Sequence, residues 1–261
     1  MKILALVKHV PDATGDREFA DDGTVDREGA DGLLSELDEY AVEQSLQIRE
    51  NSDDDVEIVA LTVGPDDAAD AIKKALQMGA DAGIHINDEA IHGSDALATS
   101  KILAAAVQKA GADLVVCGMA STDGNMGVVP AMLAERLGWP AATFGHTVSL
   151  EGQSVTIKRD GDTAAQTVQA NLPAVVSVTD QSGEARYPSM KGVIAAKKKP
   201  VDEWTLDDLG VDTAGIGLEG AATKVTDTTP RPPKQAGTIV TDEDGSGANA
   251  LVEFLSTNKF I

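Results

Sequence analysis

The ten residues Gly118 to Gly127, GMASTDGNMG, carry the most chemically suggestive spacing in the chain. Small residues allow backbone N–H groups to come close to a phosphate. Ser121 and Thr122 supply hydroxyls, and Asp123 and Asn125 are placed to orient a ribose or to cap the helix that VVPAMLAERLG predicts. The positive N-terminal end of that helix would add to the attraction for an anion. The same loop is also readable as a Gly-rich strand–helix connection with an Asn or Asp cap and no ligand, and the loop alone does not separate the two. Other patterns are weaker. GxxxxGKS/T, GxGxxG after the first strand and the GxSxG elbow are all absent from the sequence. His9, His85, His92 and His146 are scattered without metal spacing, and His85 falls inside a predicted strand, where a packed core residue is expected. His9 with Asp123 supports only a weak hydrolase reading. The single cysteine, Cys117, excludes an internal disulfide and any multi-cysteine metal or iron–sulfur site within this chain. No catalytic residue and no metal ligand set is expected.

A loop of this kind binds only if a sheet holds it. Lys2 to Lys8 reads as a buried strand, and Asp38 to Glu50 as a helix. Val56 to Val63 is a second strand, closed by Gly64-Pro65. DDAADAIKKALQMGAD predicts a helix with acidic residues at its N-terminal end and a stop at Gly79. Ala82 to Ile86 is a short strand, Ser94 to Ala110 an Ala-rich helix, and Asp113 to Cys117 the strand before the loop. Strand alternating with helix predicts an α/β fold on a mostly parallel sheet with right-handed crossovers. In such sheets ligands lie outside the carboxyl ends of the strands, so Leu6 and Val7, Val63 and Gly64, and Gly118 to Val129 are expected to converge. From about Ala142 the pattern becomes a β-meander with tight turns, followed by a buried strand in LPAVVSVT. Beyond Asp180 the period dissolves into an extended C-terminal arm, with short helices expected only near Trp204 to Leu209 and Ala248 to Ser256.

Composition bounds the partners. Acidic residues number 43 against 21 basic, a formal net charge of −22. Such a surface repels nucleic acid and anionic lipid. The dispersed excess resembles halophilic proteins, whose self-repulsion is screened by concentrated salt. Aromatics are 3% of the chain, so the core must be built from Val, Ala, Leu and Ile. No apolar run approaches membrane-spanning length, and a cytoplasmic protein without membrane insertion is expected. Against this background ARYPSMKGVIAAKKKP, Ala185 to Pro200, concentrates five basic residues in a segment without helical or strand period.

The order VKHVPD, DEYAVEQSL, ALQMGADAGIHI, DLVVCGMASTDGNMGVVPAMLAERLGWP and LPAVVSVTDQSGEARYPSMKGVIAAKKKP resembles the beta subunit of electron transfer flavoproteins, the FixA-type family, collinearly through most of residues 1–210. The resemblance implies a Rossmann-like, adenine-nucleotide alpha-hydrolase-like domain over residues 1–184, a partner recognition loop over 185–200, and an arm over 201–261 that docks on an alpha subunit. It implies an electron-carrier subunit, not an enzyme in its own right. Such a subunit accepts electrons from flavin-dependent dehydrogenases and passes them toward a quinone oxidoreductase (ETF-quinone oxidoreductase or a FixCX-like acceptor), through FAD held mainly by the alpha subunit. AMP is implied as a structural nucleotide of this subunit. Its contacts would fall on Leu6; on Ser35, Glu36, Leu37 and Asp38; on Val63; and on Gly118, Met119, Ala120, Ser121, Thr122, Asp123, Gly124, Asn125, Met126, Gly127, Val128 and Val129.

The chain departs from the family pattern at several of these positions. Ser35-Glu36-Leu37 stands where the family has Asn-Pro-Phe, Val128 where it often has Gln, and Pro130 where it has Gly. Asp123-Gly124-Asn125 is nearer the Asp-Gly-Asp of electron-bifurcating relatives, in which a second FAD takes the AMP position. The resemblance further implies that Arg186, Tyr187, Pro188, Ser189 and Met190 read partner dehydrogenases, with Met190 as the inserted apolar tip and Lys191 in place of a proline. Lys197 to Lys199 are expected to steady the arm against acidic surface. A stand-alone nucleotide-binding protein of the universal-stress or ATP-pyrophosphatase type shares the strand–helix layout, but predicts a shorter chain without the KKKP arm.

Overall fold

A computed structural model describes residues 1–15, 17–27, 29–229, 232, 237–242 and 244–261. It divides into two compact units, Met1–Thr226 and Asp227–Ile261.

In chain order the first unit contains β1 (Lys2–Leu6), β2 (His9–Pro11), β3 (Gly32–Leu34), α1 (Glu36–Glu50), β4 (Glu57–Val63), α2 (Ala69–Met78), β5 (Ala82–Ile86), α3 (Ala96–Ala110), β6 (Leu114–Gly118) and α4 (Val129–Leu137). There follow β7 (Ala141–Gly145), β8 (Thr147–Glu151), β9 (Ser154–Asp160), β10 (Ala165–Asn171), β11 (Ala174–Val178), α5 (Met190–Ala196), β12 (Val201–Trp204) and the single turn α6 (Gly217–Gly220). Seven strands form one parallel sheet in the order β12-β5-β4-β1-β6-β11-β7. The α/β class and the mostly parallel sheet expected from the alternation are what the chain adopts. The meander β8–β9–β10 is a separate antiparallel sheet, and β2 pairs with β3 as a small ribbon.

Alternate residues of each strand feed opposite layers, as the two-residue side-chain period requires. Ile3 and Ala5 pack with Ala41, Val42 and Leu46 of α1 and Ile72 of α2. Leu4 and Leu6 pack with Ile102 and Val107 of α3 and Leu133 of α4. Both faces are covered, which is why the strands read as continuous apolar runs. Helix α3 starts at Asp95, whose side chain accepts from the backbone N–H of Ala98 at 2.9 Å, and stops at Gly111 in the left-handed region.

The region beyond Asp180 differs most from expectation. Segment 185–200 was expected to lack regular structure, yet Met190–Ala196 is a helix whose N-cap is Ser189, accepting from Gly192 N–H at 3.0 Å. Two turns are too few for a periodicity to register. The helix expected near Trp204 to Leu209 is instead the end of β12, which adds to the sheet edge beside β5, followed by a turn. Leu206 and Ile216 enter the second core layer at 1% and 6% exposure. The compact unit therefore runs to Thr226, not to the expected division after Pro200.

The second unit, Asp227–Ile261, holds α7 (Gly247–Thr257), where a helix near Ala248 to Ser256 was expected. Leu251, Val252 and Phe254 on it are exposed, and the rings of Phe254 and Phe260 lie 6.3 Å apart. No helix among the described residues is long and apolar enough to cross a membrane.

Candidate functional site

The carboxyl ends of β1 and β6 and the N-terminus of α1 meet around one buried carboxylate. Asp38, in the first turn of α1, accepts the backbone N–H of Lys8 at 2.9 Å. Gly118, the last residue of β6, lies so close that a Cβ there would stand 2.5 Å from Asp38 Oδ1 and 2.8 Å from the Leu37 carbonyl oxygen. Only glycine lets helix and strand approach this closely. Burial pushes Asp38 up to about 7, against the lowering pull of the Lys8 N–H and charge and of the Gly118 N–H. Beside it, buried Cys117 has its thiol pushed well up, first by burial and then by Asp38.

The loop after β6 is held by cations that arrive from elsewhere. Asp123, its side chain 3% exposed, lies 2.9 Å from Lys8 Nζ and 2.8 Å from Arg27 Nη2. Burial would raise its pKa, but the Lys8 charge and hydrogen bonds from Lys8, Ser121 and Arg27 hold it far below the usual carboxylate range. Arg17 donates to the Thr122 carbonyl at 2.6 Å, and the Thr122 N–H reaches Ser35 Oγ at 3.4 Å. Lys8, Arg17 and Arg27 were not among the residues singled out from sequence. Lys8 sits next to the strand end, a signal that was available; the two arginines lie in a polar excursion with no local pattern.

The strands that carry Val63, Leu6 and Gly118 at their carboxyl ends, β4, β1 and β6, are neighbours in the sheet. Leu6 and Leu61 are buried and paired in register, and Val63 ends β4. Ser35 and Asp38 anchor the N-terminus of α1, while Glu36 is exposed. Neither Asp123 nor Asn125 caps α4: its N-cap is Val128, without a side-chain hydrogen bond, and Pro130 lies in its first turn. Asn125 and Gly127 take positive φ, 49° and 66°, and turn the loop so that Gly124, Asn125 and Met126 face outward. The Thr122 hydroxyl is buried and has no hydrogen-bond partner among the described residues. An uncapped helix start, the Thr122 hydroxyl and a cluster in which two cations face one carboxylate form a set that fits a phosphate group. His85 is a packed residue, as expected, its Nε2 2.9 Å from the Gly64 carbonyl oxygen. His9 packs its ring over Gly32, where a Cβ would stand 2.1 Å from it, and Asp123 is committed to its two cations, so the hydrolase pairing is not formed.

A second surface lies beside α5. Tyr187, Met190 and Ile194 are 93%, 79% and 61% exposed. Met190, Lys191, Ile194, Ala195, Lys198 and Lys199 line an open groove of about 690 Å³. Arg186 turns to Glu43 and Glu50 of α1, and Ser189, which is exposed, caps the start of α5. Ile194 was missed because its relation to Met190, one helical turn away, exists only once α5 is known. Lys199 donates to the carbonyls of Leu76 at 3.0 Å and Ala80 at 2.5 Å, capping the end of α2, where the Asp81 carboxylate also attracts its charge.

A parallel sheet covered by helices on both faces, with a Gly-rich, cation-held loop at its strand ends, defines a Rossmann-like α/β protein. The Electron transfer flavoprotein domain model matches residues 22–209. The chain is 47% identical to the electron transfer flavoprotein subunit beta of Mycobacterium leprae, over 99% of each chain. It is 34% identical to that of Thermoanaerobacterium thermosaccharolyticum over the full length of both. It is also 30% identical to the caffeyl-CoA reductase-Etf complex subunit CarD of Acetobacterium woodii, over 92% of each. The chain belongs to the electron transfer flavoprotein family, and its whole-length likeness is to beta subunits. Its function is electron transfer as part of a flavoprotein.

Proposed function

We propose that this chain is the nucleotide-binding and partner-docking half of a two-subunit electron carrier. The redox FAD is shared with an alpha subunit, on which the arm Asp227–Ile261 docks. This chain has no catalytic residues of its own. It receives electrons from flavin-dependent dehydrogenases and hands them toward a quinone oxidoreductase or FixCX-like acceptor.

AMP is the nucleotide assigned to the strand-end site. The observation that carries this is the uncapped start of α4 next to the partnerless Thr122 hydroxyl and the Lys8–Asp123–Arg27 cluster. Backbone N–H groups of α4 would take the phosphate, Thr122 would donate a hydroxyl, and Leu6 and Val63 would form an apolar floor for the base. The Asp123-Gly124-Asn125 sequence favours a second reading, in which FAD occupies the same place. When bound, the flavin supplies the electron chemistry. This chain's residues hold, orient and shield.

Two measurements test the reading. The chain is co-purified with its alpha subunit and the released nucleotides are quantified: one FAD and one AMP per dimer is expected. Two FAD and no AMP would replace AMP by the second reading, and a colourless stable homodimer would overturn both. For docking, Met190→Ala is expected to slow electron acceptance from a dehydrogenase while flavin and AMP content stay unchanged. Unchanged transfer would remove Met190 from the docking surface.

A further inference from the structure

Between Asp180 and Lys199 the chain leaves the parallel sheet, passes over α1 and α2 and returns to its edge. The backbone of this stretch is fastened along its whole length. Gln44 of α1, 4% exposed, donates to the Ser182 carbonyl at 2.8 Å. Ser189 caps α5, and Gly192 lies so near α2 that a Cβ would stand 2.4 Å from the Gln77 carbonyl oxygen. Lys199 closes the segment on the end of α2. Yet Tyr187, Met190 and Ile194 point their apolar side chains outward. A fastened backbone thus carries a ridge that no described residue of the unit covers.

The strongest fastening is Arg186. Its Nε and Nη2 donate to the two oxygens of Glu43 at 2.7 and 3.0 Å, and its backbone N–H also donates to Glu43 Oε2 at 3.1 Å. Nη1 and Nη2 donate to the two oxygens of Glu50 at 2.6 and 3.0 Å. One guanidinium therefore grips two carboxylates, each through both oxygens, using the planar fork that lysine lacks. Glu43 has a side chain only 6% exposed. Burial alone would raise its pKa, but hydrogen bonds from Arg186 and Gln47 hold it low. A carboxylate buried on α1 has one evident use: to fix the residue that precedes the ridge.

We propose that Arg186 is a positioning residue for partner docking. Gripped by Glu43 and Glu50, it holds the Tyr187–Met190–Ile194 ridge in its binding geometry before an electron-transfer partner arrives. The inference rests on reading that ridge as a docking surface. Its benefit is entropic, since a segment whose backbone is already held need not be immobilised at association. The partner it fits presents an apolar slot rimmed by carboxylates, because Lys191 and Lys198 line the groove beside Met190 and Ile194 in a chain that is otherwise strongly acidic.

The test uses the intact heterodimer with a flavin-dependent dehydrogenase that reduces the wild type, monitored by flavin bleaching. Arg186→Ala is expected to raise the KM for the heterodimer about tenfold, with kcat within about twofold, as when two or three side chains must be ordered on binding. Flavin content and flavin potential stay at wild-type values. Arg186→Lys and Glu50→Gln each give about a threefold rise, and they carry the test where the alanine variant does not assemble. Unchanged KM in assembled variants, or a loss confined to kcat, overturns the proposal. Met190→Ala run in parallel separates the two claims. If it raises KM while the Arg186 and Glu50 variants do not, the positioning role fails and the docking surface stands. If Met190→Ala has no effect, the docking reading fails and the positioning role with it.

Discussion

The backbone N–H of Lys8 donates to Oδ2 of Asp38 at 2.9 Å, so the end of the first strand is tied to the first turn of α1. That bond fixes the height at which α1 meets the sheet. The separation between the loop after β6 and Ser35 follows from it. It also buries a carboxylate where the chain has a phosphate-sized set of donors, which has consequences for pH.

Asp38 has a folded pKa of about 7 against an ordinary 3.8. A raised folded value means that the native state holds the proton more tightly. The associated stability is complete below about pH 4 and is lost as pH rises through about 7. Asp38→Asn removes that titration. Urea unfolding of both proteins in half-unit steps should show the variant gaining on the wild type between pH 4 and 7, with no further change above pH 8. A difference that stays flat across this window would show that Asp38 titrates normally.

Gly118→Ala should destabilise the protein by about 2 kcal/mol or more, because the added methyl meets Asp38 Oδ1 and a backbone carbonyl, neither of which yields cheaply. Gly124→Ala is the control: its Cβ would meet only Ser121 Oγ, at 3.8 Å. Thermal unfolding of the two variants should separate them clearly. Equal melting temperatures would mean that α1 can retreat from β6.

Arg27→Ala leaves the buried Asp123 with Lys8 as its remaining charged partner among the described residues, and a cost of about 2 kcal/mol is expected. In an Asp123→Asn background the same change should cost markedly less, because the charge that needed neutralising is gone. A double-mutant cycle in urea measures the coupling. Strict additivity would show that Arg27 and Asp123 do not depend on one another.

Leu206→Ala should cost about 2–4 kcal/mol, since the side chain is 1% exposed in the layer under α3. Leu251→Ala, at an exposed position of α7, should change the stability of the isolated chain by less than about 0.5 kcal/mol. Chemical denaturation of the chain without its alpha subunit distinguishes these. Comparable losses would place residues 201–226 outside the cooperative unit.

By itself the sequence determined the class of fold, the position of the Gly-rich loop and the family. Those properties are local or collinear. Buried parallel strands read as short apolar runs, Ala-rich helices read by their period and their glycine stops, and a motif order survives in one dimension. Tertiary structure decided which charges meet. Asp123 takes its partners from positions 115 and 96 residues away, at Lys8 and Arg27, and Arg186 takes Glu43 from 143 residues away. In a chain with 43 carboxylates no pattern marks the two or three that become buried, because that choice depends on distance and desolvation, which exist only after folding. The same holds for α5 and β12. Each is too short to announce itself, and each is stabilised by what it packs against: α2 and its carbonyl ends for the one, the free edge of β5 for the other. Arg186 therefore looked like a residue offered to a partner, and folding made it the fastening that holds Met190 in place.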